Sequence, residues 1–300
     1  MRKRGWILLA APVGLALLLG AASFGGAQTA KAPEAAVAQP AAPADYVGMD
    51  TCVQCHEDQV KAFKTTPHAA SSKGCEGCHG PGKAHVEGGG DKTKIKVFST
   101  MSALDSSSTC MECHNKGNQK HWVGSMHDSR KLACTQCHDP HPKGPAPAAL
   151  LKAPQMILCT SCHLQKKAQL LRPGHMPLRE GKLQCTSCHN PHGTPNERML
   201  WQTSVNQNCY TCHAEKRGPF LWEHAPVRES CLNCHDPHGS INEKMLKVKV
   251  PLLCQQCHQT SSHPGPAYPA QSRYAFNQGC LHCHPMIHGS VHPSGNRFFR

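Results

Sequence analysis

Every cysteine in this 300-residue chain belongs to one pattern: two cysteines two residues apart, followed at once by a histidine. The first five copies are CVQCH (Cys52, Cys55, His56), CEGCH (Cys75, Cys78, His79), CMECH (Cys110, Cys113, His114), CTQCH (Cys134, Cys137, His138) and CTSCH (Cys159, Cys162, His163). The rest are CTSCH (Cys185, Cys188, His189), CYTCH (Cys209, Cys212, His213), CLNCH (Cys231, Cys234, His235), CQQCH (Cys254, Cys257, His258) and CLHCH (Cys280, Cys283, His284). Together they use all 20 Cys and leave none for a disulfide. A single CxxC suits a redox disulfide or half of a zinc site. Neither explains a histidine after every pair, ten times over. CxxCH is the attachment motif of c-type haem, whose two vinyl groups take the thiols while the adjacent imidazole binds the iron.

Thirteen histidines lie outside these positions, and most of them are phased with the motifs. One set falls between the motifs of successive pairs: His68, His127, His175, His224 and His263. The other follows the second motif: His85, His141, His192, His238 and His288. That makes ten candidate sixth ligands for ten irons. His68, His127 and His224 each precede the next motif by seven residues, whereas His175 precedes it by ten and His263 by seventeen. In CHDPHP (137–142), CHNPHG (188–193) and CHDPHG (234–239) a proline-bearing turn separates two histidines. A histidine three residues past a proximal ligand cannot reach the opposite face of the same porphyrin. His141, His192 and His238 therefore belong to neighbouring haems. His121, His282 and His292 are left without a ligand role. With ligands matching irons, no lysine at the proximal position and methionines out of phase, the expected centres are bis-histidine, six-coordinate and low-spin. Such centres carry electrons, and no catalytic residue or vacant catalytic position is evident.

The elements that hold these residues must be lean. Hydrophobic residues total 39%, a figure swollen by the cysteines, aromatics are 5%, and Gly and Pro number 25 and 24. An aliphatic enzyme core is excluded, and the porphyrins are expected to be the buried apolar mass. The predicted fold is a multihaem cytochrome c, elongated, of short helices and irregular loops wrapped around ten haems, with little or no sheet. DKTKIKVF (91–98) is the one plausible strand, and Trp122, Trp201 and Trp222 are expected to pack on haems. Residues 1–27 have the basic start, apolar run and small-residue end of a secretory signal peptide. An Ala/Pro-rich leader (28–47) follows, then a body (48–300) of five dihaem repeats at 52–109, 110–158, 159–208, 209–253 and 254–300.

The ten motifs, the opening TPHAASSKGCEGCHGPGKAHVEGGG (66–90) and the repeated CHxPHG turns together resemble the MtrA/DmsE family of exported decahaem cytochromes. The resemblance implies a haem wire inside or docked to an outer-membrane β-barrel of the MtrB type, exported to the periplasm. It would link periplasmic electron carriers to an extracellular cytochrome, reductase or mineral. The competing readings are a multihaem reductase with one open catalytic haem, and a free periplasmic shuttle or cytochrome filament. The basic tail NRFFR (296–300) matches no motif.

The formal charge of +13 would by itself suggest nucleic acid. Loss of Arg2, Lys3 and Arg4 with the signal peptide lowers it to +10. About twenty propionates set against about ten ferric charges bring the holoprotein near neutral when oxidised and near −10 when reduced. The basic residues are counter-charges to cofactors, and no nucleic-acid partner is expected.

Overall fold

Each CxxCH folds as one helical turn, because the histidine N–H reaches back four residues to the carbonyl of the first cysteine. All ten motifs make this bond, at 2.9–3.0 Å. The computed structural model describes residues 43–70, 73–258 and 279–299. The expected signal peptide, the leader up to residue 42 and His263 lie outside these residues.

First motifs close the last turn of a short helix. Examples are Ala103–Met111, Gln155–Thr160 and Val205–Tyr210. Ser102 and Ser204 cap two of these helices by accepting the N–H of Asp105 and Gln207 at 3.1 and 3.2 Å. Second motifs start their own turn, as in Glu76–His79, Cys134–Cys137 and Cys231–Asn233. No described helix exceeds nine residues, and none is long and apolar enough to cross a membrane.

Sheet is confined to isolated bridges among the described residues, and three of them repeat one device. His138 bridges to Leu151, His189 to Leu200 and His235 to Leu246. The segment returning to each motif turns through two residues of positive φ: Ala149–Leu150, Arg198–Met199 and Lys244–Met245, all between 53° and 56°. Consecutive left-handed residues without glycine are strained, and they persist only where surrounding contacts hold them.

The strand expected at 91–98 does not form. Asp91 accepts the Thr93 N–H at 2.9 Å and caps a 3-10 turn, Lys92–Lys94, which bends the segment. Anchoring of the body also begins one residue earlier than expected. The buried Glu76 carboxylate accepts the N–H groups of Val47, Gly48 and Gly82 at 3.0, 3.0 and 2.7 Å.

The apolar core of the described residues is small: Val60, Phe63, Trp122, Leu150, Leu170 and Leu200. Units instead touch through glycine. A Cβ at Gly193 would strike the His121 carbonyl, and one at Gly239 the Gln169 carbonyl. One at Gly289 would strike the Phe220 ring.

Candidate haem-binding site

The five second-motif histidines are half-buried, and each donates Nδ1–H to a carbonyl downstream. His79 bonds to Lys96 at 2.8 Å, His138 to Ala149 at 2.7 Å and His189 to Arg198 at 2.9 Å. His235 bonds to Lys244 at 2.8 Å and His284 to Arg297 at 2.5 Å. The left-handed turns now have a purpose, since they aim the carbonyls of Ala149, Arg198 and Lys244 at the rings. These carbonyl residues were missed by the motif reading. The signal was present in NERML (196–200) and NEKML (242–246), which recur at the same distance after their motifs. The NRFFR tail serves the same end, through Arg297 followed by left-handed Phe298.

Opposite four of these rings, and opposite four first-motif rings, stands a second imidazole. His85 faces His56, His141 faces His79, His192 faces His138, His238 faces His189, His258 faces His224 and His288 faces His235. Ring centres in these pairs are 6.0–6.2 Å apart. His68 faces His114 at 5.9 Å and His127 faces His163 at 6.2 Å. Each of the eight pairs joins one motif histidine to one phased histidine. Two metal–nitrogen bonds of about 2 Å, with about 1 Å from nitrogen to ring centre on each side, give about 6 Å. The donor set fits an iron held between two imidazoles.

Short turns aim the distal rings. The side chains of Asp139, Asn190 and Asp236 accept the N–H of His141, His192 and His238 at 2.9, 3.1 and 3.1 Å. Burial holds His68, His141, His192, His224 and His288 below the ordinary histidine range and pushes His238 down to about 4. A neutral imidazole is the metal-binding form. A cleft of about 860 Å³ opens beside His141, between Asp58–Thr65 and Pro142–Ala146, within the size range of cofactor sites.

His175 departs from this pattern. Its Nδ1 bonds to the Arg172 carbonyl at 2.7 Å and its Nε2 to Glu180 at 3.1 Å, which together raise its pKa. No imidazole among the described residues pairs with His213. His284 stacks on Phe299 at 4.8 Å. None of His121, His282 and His292 joins a pair; the His292 ring accepts the Ser294 N–H at 3.1 Å. Trp122 is buried with its ring 6.3 Å from His192, while Trp201 donates to the Thr186 carbonyl at 2.8 Å.

The thiols adjoin in a regular order. First cysteines of paired motifs face one another closely enough to couple: Cys52–Cys75, Cys110–Cys134, Cys159–Cys185, Cys209–Cys231 and Cys254–Cys280. The facing thiol lowers Cys134 to about 6, and Cys185 and Cys231 to about 7. Second cysteines approach across pairs, close enough for their charges to interact: Cys78–Cys113, Cys137–Cys162, Cys188–Cys212 and Cys234–Cys257. None of the 20 forms a disulfide, and no three-ligand metal cluster occurs among the described residues.

Residues 175–218 and 224–263 match the doubled CXXCH motif family, and residues 75–162 match the cytochrome c-type protein NrfB-like family. The chain is 41% identical over 269 residues to the multihaem cytochrome MtrA of Shewanella baltica (strain OS185), covering 83% of this chain and 80% of that protein. Covalent haem attachment at CxxCH, paired imidazoles and this likeness converge: the chain belongs to the MtrA family of multihaem c-type cytochromes, proteins of electron transfer.

Proposed function

We propose that the chain binds ten haems in file and carries electrons through an outer-membrane β-barrel of the MtrB type. One end would meet periplasmic electron carriers and the other an extracellular cytochrome, reductase or mineral. The observation that supports this reading is the succession of neighbouring, electrostatically coupled thiols. Alternating first-cysteine and second-cysteine approaches link motif one to motif two, two to three, and onward to ten with no motif skipped. Attachment points in this order would hold successive haems as neighbours. Bound haem would supply one-electron iron chemistry. The chain would supply the order, imidazole ligands from the paired histidines and the carbonyls that fix their tautomer. The signal peptide at 1–27 directs export, and the five repeats supply two sites each.

Affinity purification from detergent-solubilised outer membranes tests the reading. The expected result is co-purification of a β-barrel and ten haems per chain by mass. A haem-loaded chain recovered free from the soluble fraction would overturn the conduit.

The reductase reading keeps one supporting observation: no imidazole among the described residues pairs with His213, and His175 is held by Glu180. It requires a high-spin ferric signal in the oxidised protein. A wholly low-spin spectrum would remove it.

A further inference from the structure

Two features separate one imidazole pair from all the others. The first is the angle between ring planes. Six pairs are close to parallel, at 16–28°. His127–His163 is turned to 59°, and His68–His114 is nearly perpendicular at 84°. The second feature is the carbonyl behind the ring. In the pairs headed by His79, His138, His189 and His235 the motif histidine donates to a carbonyl. In His56–His85 and His127–His163 the distal ring does so, to Asp91 at 2.9 Å and Pro191 at 2.7 Å. The His224 Nδ1 lies buried beside the Ile287 carbonyl but misses hydrogen-bond geometry, in a pair that is parallel at 18°. His68–His114 alone combines crossed rings with no ring hydrogen bond to the protein among the described residues.

Both features act on the iron in one direction. An imidazole that gives its second N–H to a carbonyl gains imidazolate character, donates more strongly and favours ferric iron. Without that bond the donor is weaker. Parallel rings direct their π donation into one iron d orbital. Crossed rings spread it over two, which brings those orbitals together in energy and enlarges the largest g-value of low-spin ferric iron.

We propose that His68 and His114 make the third attachment site, Cys110 and Cys113, the highest-potential site of the file, where an electron rests during transfer. The proposal deepens the electron-wire reading and depends on its paired-imidazole ligation. It assigns a distinct role to a distal histidine that lies far outside its own motif pair.

The test is an anaerobic titration of the full holoprotein with dithionite, one electron converting each Fe(III) to Fe(II), followed by electron paramagnetic resonance. We expect a large-g low-spin signal from one site, lost at the highest potentials before the rhombic majority. His68→Ala should abolish that signal and add one high-spin site with covalent haem content unchanged. His141→Ala, at a parallel pair, should leave it in place. The proposal is overturned if the wild type lacks the signal, if His68→Ala retains it, or if it disappears with or after the rhombic signals. Should His68→Ala fail to accumulate, the order of reduction in the wild type still decides. A predominantly high-spin wild type would sink the ligand reading itself. Failure to find a barrel would leave these spectra unchanged.

Discussion

Two kinds of side chain do most of the positioning, carbonyl-held imidazoles and one buried carboxylate. His192 stands opposite His138, reached through a turn in which the Asn190 side chain accepts its N–H at 3.1 Å. His192→Ala should turn one low-spin site high-spin while mass spectrometry finds the same haem number. An unchanged spectrum would show that another residue serves His138. Glu76 is a different case, a residue inside a motif whose carboxylate holds three backbone N–H groups from two other segments. Glu76→Ala leaves those donors unsatisfied and should cost about 1–3 kcal/mol, read as a lowered denaturant midpoint with faster proteolysis at 43–48. The ten motifs were legible from residue type and spacing alone, as were the eight phased histidines that face a motif ring, but not the departure of His175. The Glu76 clamp was not, because x positions of CxxCH are unconstrained and its partners lie 28 and 29 residues upstream.

At the scale of elements, the short returning turn is the recurring part. It closes on the motif histidine through a bridge, and in the CHxPHG turn before it Gly193 and Gly239 dock against the preceding unit. Gly239 has φ +140 and no room for a Cβ against the Gln169 backbone. Gly239→Ala should therefore lower stability by about 3 kcal/mol through strain and overpacking, and should disturb the low-spin signal of the His189–His238 pair. Gly181, at φ +70 in open space, is the control. Gly181→Ala should cost about 1 kcal/mol of left-handed strain and leave spectra unaltered. Equal effects in the two variants would refute close packing as the reason for Gly239. The glycines were legible as turn residues, but their contacts were not, since the carbonyls they meet come from another unit. The expected strand at 91–98 failed for a related reason. Alternating Lys, Ile and Val looks extended, yet Asp91 captures Thr93 locally and Lys96 is recruited to hold the His79 ring.

On the proposed reading of the whole molecule, attachment sites succeed one another in chain order, so a missing site would not be bypassed. Replacing Cys209 and Cys212 together by serine should remove the seventh site while the other nine load. Transfer to an acceptor sealed inside vesicles carrying the barrel complex should then fall by orders of magnitude, although each remaining haem still reduces. Near-normal transfer would argue for a branched arrangement. Spacing revealed that His141, His192 and His238 serve neighbouring sites, but not the forward reach of His68 and His127. His68 and His127 reach forward to the first motif of the next unit, while His141, His192, His238 and His288 reach back to the second motif of the previous one. The unit at 110–158 thus lends one imidazole in each direction and borrows one from each side. Adding or removing an entire unit balances these loans, whereas loss of half a unit strands a donor at one site and an iron at another. Gene duplication acting on such a chain can lengthen or shorten it only in steps of two sites, so its haem number is bound to stay even.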